Sequence, residues 1–462
     1  MTVMFPLMLA LFLSNLDQTI VAAALPSIGA DLRASADISW IVTAYLLTSA
    51  VTALVFGKLG DLHGRKKILQ FSIVVFLAGS LLSGTANSAP LLALFRALQG
   101  IGGGGITSLV LAITGDLASP RQRARHQALL GMTAALALVT GPLLGGAFSE
   151  GLSWRWIFYV NLPIGITAFA MVTANLHLPR PAHDSGPVDV PGALVATLFT
   201  ASVMLFMTWG GHAYAWSSGV VLGLIAFSIV SVPLYVYVEH RTAKPITPLH
   251  LFRSTVFSLA TAQFFLAALV LFAGMLYVPM FIQTVQHKSA FVAGLYDIPL
   301  LLGLVAAAAI SGPLITRTGR YKLYPVTGSV LVTLSMLALS HADQDTRPLA
   351  MIVPLAVAGA GIGFFVQVCL LAGQNAVGYE DLGTATGVLN FFRTLGGAFG
   401  AALFGTILAA GLRSPRPTAA ESVTAFQAVF FWTTPSMALA LVLALVTQEK
   451  PLSEATAASA RS

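Results

Sequence analysis

The chain has 462 residues, of which 56% are hydrophobic and only 9% charged, with 24 Lys and Arg against 17 Asp and Glu. Soluble domains carry about 25% charged residues, and one soluble core could not hide so much apolar surface, so a soluble enzyme or binding domain is excluded. Apolar runs of about 20 residues, the length a helix needs to cross a bilayer, replace the alternating pattern of a β-barrel and predict an all-α polytopic membrane protein; the mean hydropathy is +0.84.

The first apolar segment, 4–28, opens "MTVMFPLMLALFLSNLDQTIV" and lacks a basic n-region and a small-residue cleavage site, so it reads as a membrane helix with almost no tail before it. It carries Asp17 among Ser14, Asn15, Gln18 and Thr19. Segments 38–57 and 68–87 flank a charged stretch, "GKLGDLHGRKK" at 57–67. Segment 90–115 holds Arg96, Gln99 and a run of glycines, and segments 126–149 and 156–178 complete a first group of six. Segments 190–210 and 217–238 follow. The last six are 255–283, 291–313, 323–341, 349–373, 386–411 and 426–447, so the expectation is fourteen transmembrane helices.

Two copies of the charged stretch organise this list. "GPLITRTGRYK" at 312–322 aligns with 57–67 at an offset of 255, matching Gly57, Gly64, Arg65 and Lys67 to Gly312, Gly319, Arg320 and Lys322. Asp61 becomes Thr316, so the second copy is degenerate. "GIGGG" at 100–104 aligns with "GAGIG" at 359–363, offset 259. Internal repeats of this kind are common in transporters. The expected domains are a six-helix bundle at 1–180, an inserted helix pair with linkers at 181–254, a second six-helix bundle at 255–448 and a tail at 449–462.

Basic residues set the orientation. With both termini in the cytoplasm, sixteen lie on the inner side: Lys58, Arg65, Lys66, Lys67, Arg121, Arg123, Arg125, Arg180, Arg241, Lys244, Arg253, Arg317, Arg320, Lys322, Lys450 and Arg461. Six lie outside, Arg33, Arg155, Lys288, Arg347, Arg413 and Arg416, and Arg96 and Arg393 fall within helices. The net charge of +7 therefore reads as topology rather than as nucleic-acid binding. A single cysteine, Cys369, rules out a disulfide framework. The nine histidines show no metal-site spacing. Neither a metal nor a cofactor is expected. Gly100, Gly102 and Gly105 satisfy a dinucleotide-binding spacing, but inside a membrane helix without the βαβ context that spacing requires. No phosphate-binding GxxxxGK[ST] loop is present, which points away from ATP as the energy source.

Gly57, Asp61, Gly64, Arg65 and Lys66 resemble the loop 2–3 signature of the major facilitator superfamily. "LLALFRALQGIGGGG" (91–105) resembles its helix-4 motif, and "VTGPLLGGAF" (139–148), with Gly141, Pro142, Gly145 and Gly146, its antiporter helix-5 motif. "LDQTIVAAALPSIGADL", "WRWIFYVNLPIG", "GTATGVLNFFRTLGGAFGAAL" and the inserted pair resemble the fourteen-helix drug:proton antiporters, over nearly the whole chain. Leu62 departs from the loop pattern, where a basic residue is usual.

Charge inside the membrane is costly and marks function by default. Asp17 reads as a protonatable, substrate- or proton-holding carboxylate, or as a structural carboxylate pinned by neighbouring donors. Arg96, with Gln99 one turn away, reads as a gate or carboxylate tuner, or as a brace on backbone carbonyls. On a 1.5 Å rise per residue Asp17 lies about 8 Å deeper than Arg96, which argues against a direct pair. Asp61, Arg65 and Asp116 read as a conformational latch at the inner surface, or as a solvated positive-inside loop. The helix-5 glycines with Pro142 read as a bendable joint or as ordinary packing. Asp297 is a second candidate cation site or an interfacial residue. Arg393 reads as a bundle brace or inner-end anchor. Phe364, Phe365, Gln367, Phe391 and Phe392 are candidate pocket residues. The resulting expectation is a monomeric, multi-pass plasma-membrane antiporter in contact with membrane lipids, exchanging protons for amphipathic, mostly cationic, compounds. The alternative is a dedicated exporter of one natural product, lipid or metabolite.

Overall fold

The computed structural model describes residues 3–32, 38–117, 120–178, 189–211, 214–242, 245–288, 290–412 and 418–449. Arg33, Arg180, Lys244, Arg413, Arg416, Lys450 and Arg461 lie outside the described residues, with 181–188 of the expected linker and most of the expected tail. So do the side chains of Arg121, Pro142 and Thr316.

Among the described residues the regular structure is helical apart from one isolated bridge, as hydrocarbon demands of a backbone that must satisfy its own polar groups. The first five helices are α1 (Met4–Asp31), α2 (Ile38–His63), α3 (Arg65–Gly84), α4 (Ala89–Leu117) and α5 (Pro120–Gly151). A short α6 (Trp156–Tyr159) leads into α7 (Asn161–Asn175). Then come α8 (Val190–Trp209) and α9 (Gly219–Arg241). The second half holds α10 (Thr255–Thr284), α11 (Ala290–Leu295), α12 (Asp297–Thr318), α13 (Leu323–Leu339), α14 (Pro348–Asn375), α15 (Leu382–Gly411) and α16 (Ala419–Val446).

Twelve of the helical stretches among the described residues are long and apolar enough to cross a membrane. The expected spans at 190–210 and 323–341 hold shorter apolar helices, Pro191–Met207 and Leu323–Leu339. At 1.5 Å per residue such a helix covers roughly 26 Å of a hydrocarbon layer about 30 Å thick. Two expected single helices are broken, at Val160 and at Tyr296. Each break lies three residues before a proline, Pro163 or Pro299. The missing N–H removes one bond of the helical ladder, and the ring crowds the carbonyl four residues back.

Packing repeats with the sequence. In the first half α4 lies against both α2 and α3, and α1 against α5 and α7. In the second half α14 lies against α12 and α13, and α10 against α15 and α16. The glycine runs explain both sandwiches. A Cβ on Gly100 or Gly102 would strike the backbone of α2 or α3, and one on Gly359 or Gly361 the backbone of α12 or α13. The aligned turns also match: Gly64 and Gly319 both take positive φ, 95° and 70°, where a side chain would be strained. The halves meet where α2 packs on α15 and α5 on α12. The α8–α9 pair sits to one side, and α9 leaves Leu222, Ile229, Val230 and Tyr237 exposed.

Candidate functional site

Asp17 is fully buried in the middle of α1, and five helices converge on it. Its Oδ2 accepts from Arg96 of α4 at 2.5 Å. Its Oδ1 accepts from Gln99 Nε2 at 2.7 Å and from Asn161 Nδ2 of α7 at 2.8 Å. Ser80 of α3 accepts from the same two amides, at 3.1 and 3.0 Å. The Arg96 guanidinium also donates to Gln99 Oε1 at 2.8 Å and to the Ile41 carbonyl at 3.3 Å, and lies 4.2 Å from the Tyr45 ring centroid. Three donors thus surround the carboxylate.

The direct Asp17–Arg96 pair corrects the depth argument made from the sequence. Ser14 Oγ donates to the Gly103 carbonyl at 3.3 Å, which sets α1 against α4 and puts Asp17 nearly level with Gln99 and Gly100. Arg96 is then about one turn away, a distance its long side chain spans; counting Cα heights ignored that reach. Ser80 and Asn161 were missed because lone polar residues in apolar runs are common. Asn161 stood in the quoted "FYVNLPIG", and the signal was an amide at the start of a helix. Gly79 brings Ser80 to Gln99: a Cβ on Gly79 would collide with the backbone of Gln99.

A second cluster sits at the α2–α3 end of the molecule. Arg65 donates from Nε and Nη2 to Asp61 Oδ1 at 3.1 and 2.7 Å, and from Nη1 to Asp116. Asp61 also crosses to the other half. Its Oδ2 accepts from the Thr384 amide at 2.8 Å and hydroxyl at 2.9 Å, and its Oδ1 from the Gly383 amide at 3.2 Å. These groups open α15, where a helix N-terminus favours an anion. Gly57 completes the joint, since a Cβ there would hit the Gly383 carbonyl. Gln127 of α5 adds a bond to Gln374 of α14 at 2.9 Å, so the halves are fastened at this end. Lys66 stands apart from the cluster and donates to the Thr173 carbonyl at 2.9 Å. Thr384 and Gly383 were legible only as "GTATG", a small, polar helix start with nothing to name its partner.

The helix-5 motif divides. Gly141 lets α1 approach, because a Cβ would meet Thr19 and the Ile20 amide, and Gly145 is buried. Gly146 has open space around it.

Behind the fastened end the halves enclose a cavity whose empty space, open solvent included, is about 630 Å³. Leu111, Leu130, Phe264 and Leu304 give it apolar walls; Asn15, Gln127, Gln367 and Asn390 are among its polar groups, and among the described lining residues Arg393 is the ionisable one. Asp17 and Asp297 do not line it. Asp297 starts α12 beside the break at Tyr296, with Oδ1 buried and unbonded. Of the five pocket residues expected, Gln367 alone lines this cavity.

A profile of the Major Facilitator Superfamily matches residues 7–401. An uncharacterised MFS-type transporter of Mycobacterium tuberculosis is 41% identical over 391 residues, 84% of this chain and 57% of that protein. The chain therefore spans little more than half the length of that relative. The multidrug transporter protein MdtP of Bacillus subtilis is 34% identical over 87% of this chain and 74% of its own. Among solved structures, the human organic anion transporter MFSD10 superposes with a TM-score of 0.70 at 17% identity, covering 96% of this chain and 99% of that one, a likeness of fold alone.

Proposed function

The chain belongs to the Major Facilitator Superfamily, and from that premise we propose that it is a proton-coupled antiporter exporting amphipathic small molecules by alternating access. The carrying observation is the joint at Asp61. One carboxylate ties Arg65 and Asp116 of the first half to the opening turn of α15 in the second. The halves are thus latched at one end with a cavity behind the latch, the arrangement in which rocking about a central site exchanges access. The likeness to a multidrug transporter supports efflux as the direction.

In this reading the domains are those expected from the sequence. The shorter helices at 190–210 and 323–341 also cross the membrane, giving fourteen spans with the α8–α9 pair inserted between the bundles. Both termini face the cytoplasm of a plasma-membrane monomer, and Asp61 closes the cytoplasmic end. The buried Asp17–Arg96 pair is the proton-responsive element. A proton arriving on Asp17 releases Arg96 and loosens α1 from α4, and the drive back to the paired state returns the proton. The helix-5 motif limits leak through the packing of Gly141 on α1.

The test is the internal pH of proteoliposomes holding a pH-sensitive dye, challenged with an amphipathic cation, ethidium, and an amphipathic anion, 2-naphthoate. Either compound should move protons in exchange, and Asp17→Asn should abolish the response while leaving the protein folded. Export that proceeds with no proton movement would overturn the coupling.

A further inference from the structure

Among the described arginines in the interior of the bundle, one stands apart. Arg65 and Arg96 each face carboxylates, and Arg123 donates to the Gly115 carbonyl at 2.9 Å. Arg393 is different. It lies inside α15 and lines the cavity between the halves. Its Nε is buried without a hydrogen-bond partner, and no described acid pairs with it. The Phe264 ring lies beside it, 5.9 Å from the guanidinium carbon to the centroid. A brace or anchor would be bonded to carbonyls or acids, so the role expected from the sequence does not describe this side chain. The side chain as a whole is half-buried, and because a guanidinium cannot shed its proton it presents an unpaired positive charge to the cavity. An anion in the cavity would complement it.

The rest of the wall narrows what that is. Among the described residues no carboxylate lines the cavity to receive a cation, and Asp17 has both oxygens occupied elsewhere. Asn390 Oδ1, one turn before Arg393, and Gln127 Oε1 are buried acceptors without donors, and both residues line the same space. Asn15, Thr107 and Gln367 add neutral polar groups, and leucine, alanine, valine and phenylalanine side chains with two glycines form the remainder.

We propose that the cavity binds a small amphipathic organic acid, its carboxylate on Arg393 and its apolar body against Phe264 and the leucines. This rests on the transport reading above and reverses the charge of the substrate expected from the sequence.

Three probes with one ring and different heads test it: 2-naphthoate, 2-naphthamide and 2-naphthylmethylammonium. Equilibrium dialysis against the purified full chain in detergent should show naphthoate binding about tenfold or more tighter than the amide, the size of a charge-assisted hydrogen bond. Arg393→Gln should cut naphthoate affinity about tenfold and leave amide affinity unchanged, which also shows that the variant is folded; Arg393→Lys should recover part of the loss. Tighter binding of the ammonium probe, an unchanged acid-to-amide ratio in Arg393→Gln, or no naphthoate binding to the wild type each overturns the assignment. So does displacement by dihexanoyl phosphatidate at lower concentration than by unlabelled naphthoate, which would assign the site to a lipid phosphate. Naphthoate that binds without moving protons in the liposomes would sink antiport and leave this site standing. Proton exchange driven by ethidium alone would do the opposite.

Discussion

At the offset of 259 residues that sets Gly100 on Gly359, Arg96 corresponds to Leu355 and Gln99 to Ala358, both fully buried in α14. The glycines recur because both sandwiches need helix backbones in contact. The polar residues do not recur. Ser80, Arg96, Gln99 and Asn161 each bond another member of the set or Asp17, so a single member placed in the second half would be a buried group without those partners. The turns differ in the same way. In the first repeat Asp61 fastens one half to the other; in the second, Glu449 accepts from the Tyr321 and Lys322 amides and holds the Gly319 turn within its own half. Shared backbone and divergent polar chemistry give the halves separate work. The first hides an ion pair, and the second presents a charge to the cavity.

The sharpest way to break this comparison is to make the first half like the second. Arg96→Leu alone strands a buried carboxylate and should cost about 3–5 kcal/mol of stability, read as a fall in unfolding midpoint in detergent. Asp17→Leu with Arg96→Leu should recover most of that loss, because two apolar residues replace a buried pair at little net cost, while proton exchange is lost. A double variant as unstable as the single would mean that the amides depend on the ion pair, and that the two cores are not interchangeable. Next comes the latch. Asp61→Ala removes the charge-assisted bonds from two backbone amides and a hydroxyl of α15 and the pair with Arg65, and its readout is a distance. It should open the α2–α3 end, seen as a lengthened distance between spin labels at the exposed positions Lys67 and Arg320. Glu449→Ala should leave that distance unchanged, since its bonds do not cross between halves.

These pairs also mark what the sequence could tell. Gly64, Gly319 and the two glycine runs were legible because positive φ and backbone contact leave a residue type behind. Asp61, Arg65 and Asp116 were legible as a set because few charges exist in so apolar a chain. Ser80, Asn161, Gly383 and Thr384 were not, because small polar residues occur throughout membrane helices, and only helix tilt and register choose among them. Asp17 and Arg96 were each singled out and then held apart by a height estimate. That estimate compared backbones, whereas ion pairs form at side-chain tips. Arg393 was noticed, but its lack of a partner is a property of space and has no spelling.

The smallest effect separates two glycines of one motif. Gly141 and Gly146 share α5, and a reading by resemblance treats them alike. Gly141 faces α1: a methyl there would meet the Thr19 side chain, which donates to the Ala137 carbonyl at 3.1 Å, and the Ile20 amide. Thr19 can rotate away and lose that bond, but the Ile20 backbone cannot move aside, so Gly141→Ala should cost about 1–2 kcal/mol by overpacking. Gly146 has nothing within 4 Å. Alanine there brings no clash and relieves the helix of glycine's excess freedom, so Gly146→Ala should stabilise by about 0.5–1 kcal/mol. Unfolding midpoints of the two variants, moving in opposite directions, would place the α1–α5 joint at Gly141. Equal losses would mean that Gly146 packs against another helix in a second state of the cycle, and the motif would then owe its glycines to movement as well as to the contact made here.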